Sequence, residues 1–357
     1  MGHTDWAVWT SPGMRAFRPN GRYSPQLNVL TAACPGAILF LYRETLLPGG
    51  VFARSVEIKC VALKIRKEEN NMKGDVAVME KTRTTHFLVK TLPGERYTPY
   101  SLADKLDARV LLESASFHRG RERWSLLLVR EAGKIIQEGD DLLLAAKNKR
   151  FKLKGGYRDI LDVLLYFANQ HQGEAIEYPF PAGGIGFLSY EFASRFDKIR
   201  LTPKQDEDGL PDALFILGHV FLVFDHFTDT IVLIGLNYKE MAIDLEKEFK
   251  DIEARLNDLD FNFMARERKT HPAEILSGHD DADEYMHGVE KVREEIIKGN
   301  LLQGVLSRRL RVRTALTAME GYRNLRSFNP SPYMFYLNCG SFELFGASPE
   351  VHVKVQG

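Results

Sequence analysis

The most specific string in this 357-residue chain is Asn329-Pro330-Ser331-Pro332-Tyr333-Met334-Phe335-Tyr336. Two prolines separated by a single residue fix the local backbone, so the segment can hold a ligand without a large further loss of entropy. The run of aromatic and apolar residues behind the second proline is typical of a buried strand. We therefore expect a stiff loop here that leads directly into the protein core.

The residues around this string form a regular series of elements. From residue 281 to 357 the pattern predicts helix, strand, helix and strand, followed by a short strand over 351–355. The first helix, over 281–298, has acidic residues in its first turn and stops before Gly299. Both ends agree with the helix dipole and with glycine as a stop signal.

Upstream of this block, strands and helices alternate from Thr84 onward. We predict a polar connection over 257–280, and strands over 85–89, 109–114, 124–129, 186–192, 214–224 and 230–236. Helices are predicted to begin at Thr98 and to occupy 140–147, 157–170 and 240–256, where apolar residues recur at helical spacing. Many strands with intervening helices indicate an α+β protein built on large antiparallel sheets.

Composition is that of an ordinary soluble protein, with 44% hydrophobic and 27% charged residues. Lysine plus arginine and aspartate plus glutamate both total 48, so charge favours neither a nucleic acid nor a membrane partner. The three cysteines, Cys34, Cys60 and Cys339, are too few and too widely spaced for a disulfide framework or a zinc site. We expect a cytoplasmic protein, because no apolar stretch is long enough to span a bilayer.

The first 78 residues differ from the rest, since five of the 15 prolines fall within the first fifty positions without any regular pattern. Such a segment buries little apolar surface, so we interpret 1–78 as a disordered or mis-translated extension. Met72 or Met79 would then be the true start; a regulatory arm is the alternative. The remaining chain divides into an N-terminal region, 79–268, and the start of a catalytic region, 269–357.

Generic motifs contribute little to a functional hypothesis. The string Gly183-Gly184-Ile185-Gly186 precedes a strand rather than opening a helix, so it lacks the context of a dinucleotide fingerprint. His219 and His226 lie an odd number of positions apart on an apolar strand and point to opposite faces. A metal site shared by these two histidines is therefore disfavoured.

A second string, Leu111-Leu112-Glu113-Ser114, precedes 329–336 in the order and separation of one known family. Over residues 84–357 the chain resembles component I of anthranilate synthase, the large chorismate-binding subunit, with further matches at 183–190 and 209–214. The resemblance implies a two-layer α+β fold with large antiparallel sheets and flanking helices. It also implies that the C-terminal part of that fold lies beyond residue 357.

In this family the two strings line an inhibitory tryptophan site. The resemblance therefore assigns ligand binding to Leu112, Glu113, Ser114, Pro332, Tyr333 and Met334. Glu113 would accept the ammonium group, Ser114 would offer its hydroxyl, and the second string would form an apolar wall for an indole. Taken singly, the first string would more simply be a strand end and the second a core strand; their joint occurrence in family order favours the ligand site.

Two further residues match catalytic positions of the family. Gln303 stands where the salicylate- and isochorismate-forming members have a lysine that activates water. A neutral glutamine is no general base, which favours an amine as nucleophile, although an exposed polar residue at a strand start is the alternative. Glu350, in Ala347-Ser348-Pro349-Glu350, matches the acid that protonates the departing C4 hydroxyl of chorismate.

The resemblance implies a lyase that converts chorismate and ammonia to anthranilate and pyruvate, the first step of tryptophan biosynthesis. Its cofactor would be Mg²⁺, its ammonia would come from a glutamine amidotransferase subunit (component II), and L-tryptophan would inhibit it. The family's metal-binding glutamates and active-site histidine follow the position of Glu350, so we expect the isolated chain to be inactive. Aminodeoxychorismate synthase and a non-catalytic tryptophan-binding module remain alternatives.

Overall fold

The computed structural model describes residues 4–8, 85–114, 123–147, 149–174, 176–198, 201, 209–258, 271–276, 282–307 and 310–350. Apart from the short strand at 4–8, the predicted extension over 1–78 lies outside these residues. The strand predicted over 351–355 also lies outside them.

The strands are β1 (Thr4–Val8), β2 (Phe87–Pro93), β3 (Val110–Glu113), β4 (Trp124–Glu138), β5 (Asp141–Ala146), β6 (Lys149–Lys152), β7 (Ile185–Leu188), β8 (Ala213–Asp225), β9 (Thr230–Leu236), β10 (Ala273–Leu276), β11 (Leu310–Thr314), β12 (Tyr333–Asn338) and β13 (Glu343–Ser348). The α-helices are α1 (Pro99–Leu106), α2 (Ile160–Asn169), α3 (Leu245–Asn257), α4 (Ala282–Ile297) and α5 (Ala318–Phe328), and a 3₁₀ helix spans Tyr190–Arg195.

A ten-stranded antiparallel sheet forms the centre of the molecule, with its main path in the order β13-β12-β3-β4-β8-β9-β2. Its strands β5 and β6 extend from β4, and β7 pairs with β8. All 13 residues of β8 are buried, as expected for a continuously apolar strand with neighbours on both faces. The strands β1, β11 and β10 form a separate three-stranded antiparallel sheet. The predicted α+β class with large antiparallel sheets and flanking helices is confirmed.

Helices cover one face of the large sheet. One cluster of buried side chains joins α1, α3 and α5 to alternate residues of β8 such as Val220, Leu222 and Phe224. A second cluster joins α2 to Phe215 and Leu217 of the same strand. The residues of β8 that face the helices thus have even numbers after residue 219 and odd numbers before it. A β-bulge explains this switch, because the register of β4 against β8 shifts between Leu128 and Gly133.

Local sequence signals fix the helix starts. The Thr98 hydroxyl accepts from the Ser101 backbone N–H, and Pro99 occupies the first turn of α1, where its missing N–H costs nothing. Thr317 and Glu320 form the same reciprocal capping arrangement at the start of α5. Both helix starts are thus set by side chains that stand next to them in the sequence.

Several predicted elements are wrong in type or extent. Residues 141–146 form β5 rather than a helix, because a tight turn with Gly139 at φ 58° folds them back onto β4. An apolar run this short is compatible with either structure, and the turn decides between them. The predicted strand over 186–192 ends at Leu188 and continues as a 3₁₀ helix, and the polar connection over 257–280 contains β10.

No helix among the described residues is long and apolar enough to cross a membrane.

Candidate ligand-binding site

The large sheet brings the two motifs together, since β3 and β12 are hydrogen-bonded neighbours. Their register places Met334 opposite Glu113 and Phe335 opposite Leu112. Both strands are short, β3 is buried throughout and β12 at alternate positions and Leu337, so each is fixed by its neighbours rather than by local sequence alone. Because the two strands are antiparallel, the first residues of β12, just after the two prolines, lie beside the last residues of β3.

The carboxylate of Glu113 is buried where the end of β3 meets the start of β12, a place we call the Glu113 junction. Only 4% of its side chain is exposed. The Tyr322 hydroxyl donates to its Oε2 over 2.7 Å, and Arg326 Nη2 donates to its Oε1 over 3.1 Å. Arg326 Nε lies 3.0 Å from Oε2 but without the geometry of a hydrogen bond. The buried charge is thus compensated by one hydroxyl and one guanidinium, as a charge in a protein interior must be.

Aromatic rings surround this carboxylate. Tyr322 stacks on Tyr100 with ring centroids 6.2 Å apart and planes 9° from parallel, and it lies 6.4 Å from the ring of Tyr336. Burial raises the pKa of Tyr322 well above its usual value, and the negative charge of Glu113 adds to the effect. The Tyr322 hydroxyl therefore stays protonated and remains a donor at every physiological pH.

The remaining residues assigned to the ligand are distributed over both faces of the sheet. Met334 is 1% exposed and packs in the same cluster as Tyr322, on the Glu113 face. Leu112 belongs to the cluster on the opposite face, so its side chain does not lie beside Glu113. Ser114, Pro332 and Tyr333 are partly exposed at the end of the two strands. Of the assigned side chains, Glu113 and Met334 thus lie together on the face that the helices cover.

Tyr322 and Arg326 are functional candidates that sequence reasoning missed. They stand one helical turn apart on α5, just before the proline string, so their side chains lie on the same side of the helix. This spacing was visible in the sequence, but nothing there connected the pair with Glu113. The connection arises only from the packing of α5 against β12 and β13.

The two catalytic candidates lie on separate segments. Gln303 is partly buried in the stretch between α4 and β11, which has no regular secondary structure there; the strand expected from residue 299 begins at Leu310. Glu350 is exposed and follows β13 directly. The Ser348 hydroxyl donates to the Glu350 backbone carbonyl over 2.9 Å, which makes Ser348-Pro349-Glu350 a local turn.

His219 lies on β8, His226 follows the strand directly, and a ring nitrogen of each has a hydrogen-bond partner. His219 Nδ1 donates to the Leu236 carbonyl over 2.8 Å, and His226 Nε2 lies 2.8 Å from the Ser125 hydroxyl oxygen. Within the described part of the chain, no group of three or more histidine, cysteine or carboxylate side chains is placed to hold a metal ion.

A cavity of about 560 Å³ lies at the opposite end of the β3–β12 pair, bordered by the last turns of α1 and α3. Its charged groups compensate one another: Arg109 Nε lies 3.5 Å from a Glu131 oxygen, and Arg255 Nη2 lies 2.9 Å from an Asp107 oxygen. None of the residues assigned above to a ligand or to catalysis lines this cavity. The Glu113 junction is the stronger candidate.

Residues 116–357 match the family described as chorismate binding enzyme, which is more than half of this chain. The chain belongs to this family of chorismate-binding enzymes. Over 272 residues it is 54% identical to anthranilate synthase component 1 of Spirochaeta aurantia, a match that covers 76% of this chain and 56% of that protein. It is 32% identical over 181 residues to a probable anthranilate synthase component 1 of Schizosaccharomyces pombe, which covers 49% of this chain and 37% of that one.

Among solved structures, this chain is similar to anthranilate synthase component I from Streptococcus pneumoniae TIGR4. The TM-score is 0.51 at 29% sequence identity, with 64% of this chain and 51% of the other covered. The chain thus spans about half the length of the relatives it matches.

Proposed function

We propose that the chain carries the chorismate-using, tryptophan-regulated function of an anthranilate synthase component I. The observation that carries the proposal is the pairing of β3 with β12, which sets Glu113 opposite Met334 beneath the aromatic residues of α5. The similarity to relatives with that name supports the same reading. The overall reaction is chorismate plus ammonia giving anthranilate, pyruvate and water.

L-Tryptophan is the proposed ligand of the Glu113 junction. Its ammonium group is a cation of the kind that a buried carboxylate requires, and Glu113 is the carboxylate at this end of the sheet. Its indole is a flat apolar ring, which suits the flexible Met334 side chain on the same face as Glu113. Leu112, Pro332 and Tyr333 are the further proposed apolar contacts around the ends of the two strands. The hydroxyl of Ser114, at the end of β3, is the proposed further polar contact.

Gln303 and Glu350 are the proposed catalytic residues. Because glutamine is neutral and cannot deprotonate water, ammonia rather than water would add at C2 of chorismate. Hydroxide is a poor leaving group, so Glu350 as a general acid would protonate the C4 hydroxyl as it departs. Loss of the enolpyruvyl group as pyruvate then yields the aromatic ring. The ammonia is proposed to come from a glutamine amidotransferase partner, in keeping with the designation component 1 of the relatives.

The regulatory half of the proposal is tested by calorimetric titration of the full chain with L-tryptophan. We expect saturable binding that Glu113→Gln weakens by about 30-fold or more, since one partner of a buried charge pair contributes at least 2 kcal/mol. Glu290→Gln, on the exposed face of α4, is the matched control and should bind as the wild type does. A folded wild-type sample without tryptophan binding would refute this half.

The catalytic half is tested in a hybrid enzyme. In the Spirochaeta aurantia relative, the stretch that matches this chain is replaced by the residues of this chain, and anthranilate fluorescence is followed with chorismate, Mg²⁺ and ammonium. We expect anthranilate formation, and a loss of about 100-fold in rate for Glu350→Gln, the lower range for general acid catalysis. Formation of isochorismate, salicylate or aminodeoxychorismate instead would contradict the proposed reaction.

A further inference from the structure

The ion pair between Glu113 and Arg326 closes the junction in this structure. Glu113 has 4% of its side chain exposed, so a ligand cannot reach the carboxylate unless one of its two partners moves. Tyr322 is fully buried and stacked on Tyr100, whereas a quarter of the Arg326 side chain is exposed. Arg326 is therefore the partner that can leave.

The pairing of Arg326 with Glu113 is also incomplete. One hydrogen bond joins the two side chains, from Nη2, while Nε is buried without a hydrogen-bond partner. A bidentate arginine–carboxylate pair would satisfy both groups, whereas a buried donor left unsatisfied weakens the pairing. An ammonium group, with three rotatable donors, can satisfy the same carboxylate without leaving such an orphan.

We propose that Arg326 is an exchangeable counter-ion of Glu113, which the ammonium group of the bound amino acid displaces. This inference rests on the proposed tryptophan site and assigns a second residue to its regulation. The buried carboxylate needs a cation in both states: the guanidinium without ligand, the ammonium with it. Arg326 therefore competes with the ligand and sets its affinity, and its release breaks the ionic link between α5 and β3.

The test measures binding of three indole compounds to the full chain by calorimetry. Tryptamine retains the ammonium without the carboxylate, and indole-3-propionate retains the carboxylate without the ammonium. We expect Arg326→Met to bind L-tryptophan and tryptamine about tenfold more tightly than the wild type, because their cationic competitor is gone. Binding of indole-3-propionate should not change. Arg293→Met, which removes an exposed guanidinium from α4, is the matched control and should leave all three unchanged.

A second variant guards against a folding defect in Arg326→Met. Arg326→Lys keeps the positive charge but loses the planar guanidinium, so we expect a smaller gain in affinity than with methionine. Near-ultraviolet circular dichroism of each variant reports whether the aromatic packing around Tyr322 is intact.

The outcomes separate this inference from the proposed function. If the wild type binds L-tryptophan and Glu113→Gln does not, but the Arg326 variants bind equally or more weakly, the exchange is refuted. Weaker binding of indole-3-propionate as well would make Arg326 a contact of the ligand carboxylate instead. If neither the wild type nor Arg326→Met binds L-tryptophan, the proposed tryptophan site itself fails, and the exchange fails with it.

Discussion

The imidazole rings of His86 and His171 stack with their centroids 4.4 Å apart and their planes 11° from parallel. His171 is 3% exposed, and the edge of Tyr238 meets its other side, with centroids 5.2 Å apart at 88°. Burial, with a smaller contribution from the neighbouring His86, lowers the pKa of His171 to about 4. The fold therefore favours the neutral ring.

Stability should fall in mild acid because of this histidine. A group whose pKa is lowered by folding stabilises the native state above its unfolded pKa, here 6.5. That contribution is lost as the pH falls from 6.5 to about 4, and its upper limit is about 3 kcal/mol. Urea unfolding at a series of pH values across this window measures the loss.

The matched variants for this prediction are His171→Phe and His287→Phe. Carboxylates titrate over part of the same window in every variant, so the difference from the wild type isolates the histidine. His171→Phe keeps a flat ring between His86 and Tyr238, and its free energy of unfolding should depend less on pH. His287, exposed on α4, should have no effect. An identical pH dependence of the wild type and His171→Phe would contradict the prediction.

Tyr322→Phe should destabilise the protein by about 2 kcal/mol, because it removes a hydrogen bond to the buried carboxylate of Glu113. The matched control is Tyr238→Phe. Tyr238 is also fully buried, but its hydroxyl donates over 2.9 Å to the neutral backbone carbonyl of Ala182, so its loss should cost about 1 kcal/mol. Chemical denaturation of both variants compares the two losses. Equal losses would show that the charge on Glu113 adds nothing to the bond.

Apolar spacing along the sequence predicts a helix or strand correctly where the segment is long enough to show one period or is bounded by turns. The predictions of a strand over 230–236 and of a helix within 157–170 are confirmed, since a continuous apolar run marks the first and helical apolar spacing the second. The helix predicted over 140–147 is wrong, because its apolar spacing fits either structure and the turn at Gly139 makes it a strand. Eight residues are too few for periodicity to decide.

The candidate site depends on contacts that no local pattern contains. That β3 lies beside β12 follows from the order of strands in the sheet, and only the family resemblance placed Glu113 near Met334 beforehand. The pairing of Arg326 with Glu113 could not be predicted from the sequence for the same reason. In the sequence Arg326 is a basic residue in the last turn of a helix, where the helix dipole alone explains it. Its partner is set by the packing of α5 onto the sheet.

Gln137→Met should cost about 2 kcal/mol of stability. Gln137 is fully buried, accepts from the Ile160 backbone N–H at the start of α2 over 2.8 Å, and donates to the Gly139 carbonyl over 3.1 Å. Methionine fills the space but leaves the buried Ile160 N–H unsatisfied, while the Gly139 carbonyl still accepts from Arg195. In the control Gln170→Met, water can replace the bonds to Lys239 and Glu240 at the partly exposed site, so the loss should be smaller. Thermal unfolding would contradict this ranking if Gln170→Met were the less stable.

Gly186→Ala should damage the fold more than Gly173→Ala, because β7 approaches β8 too closely for a side chain. A Cβ on Gly186 would lie 1.9 Å from the Leu214 backbone oxygen, and relief would require the two strands to separate. We expect a loss of about 3 kcal/mol, the upper range for an overpacked core, seen as a lower urea midpoint. Gly173→Ala is the matched control, since its Cβ would meet nothing within 4 Å, and its stability should change by less than about 1 kcal/mol. Equal midpoints for the two variants would mean that β7 can move away from β8 at little cost.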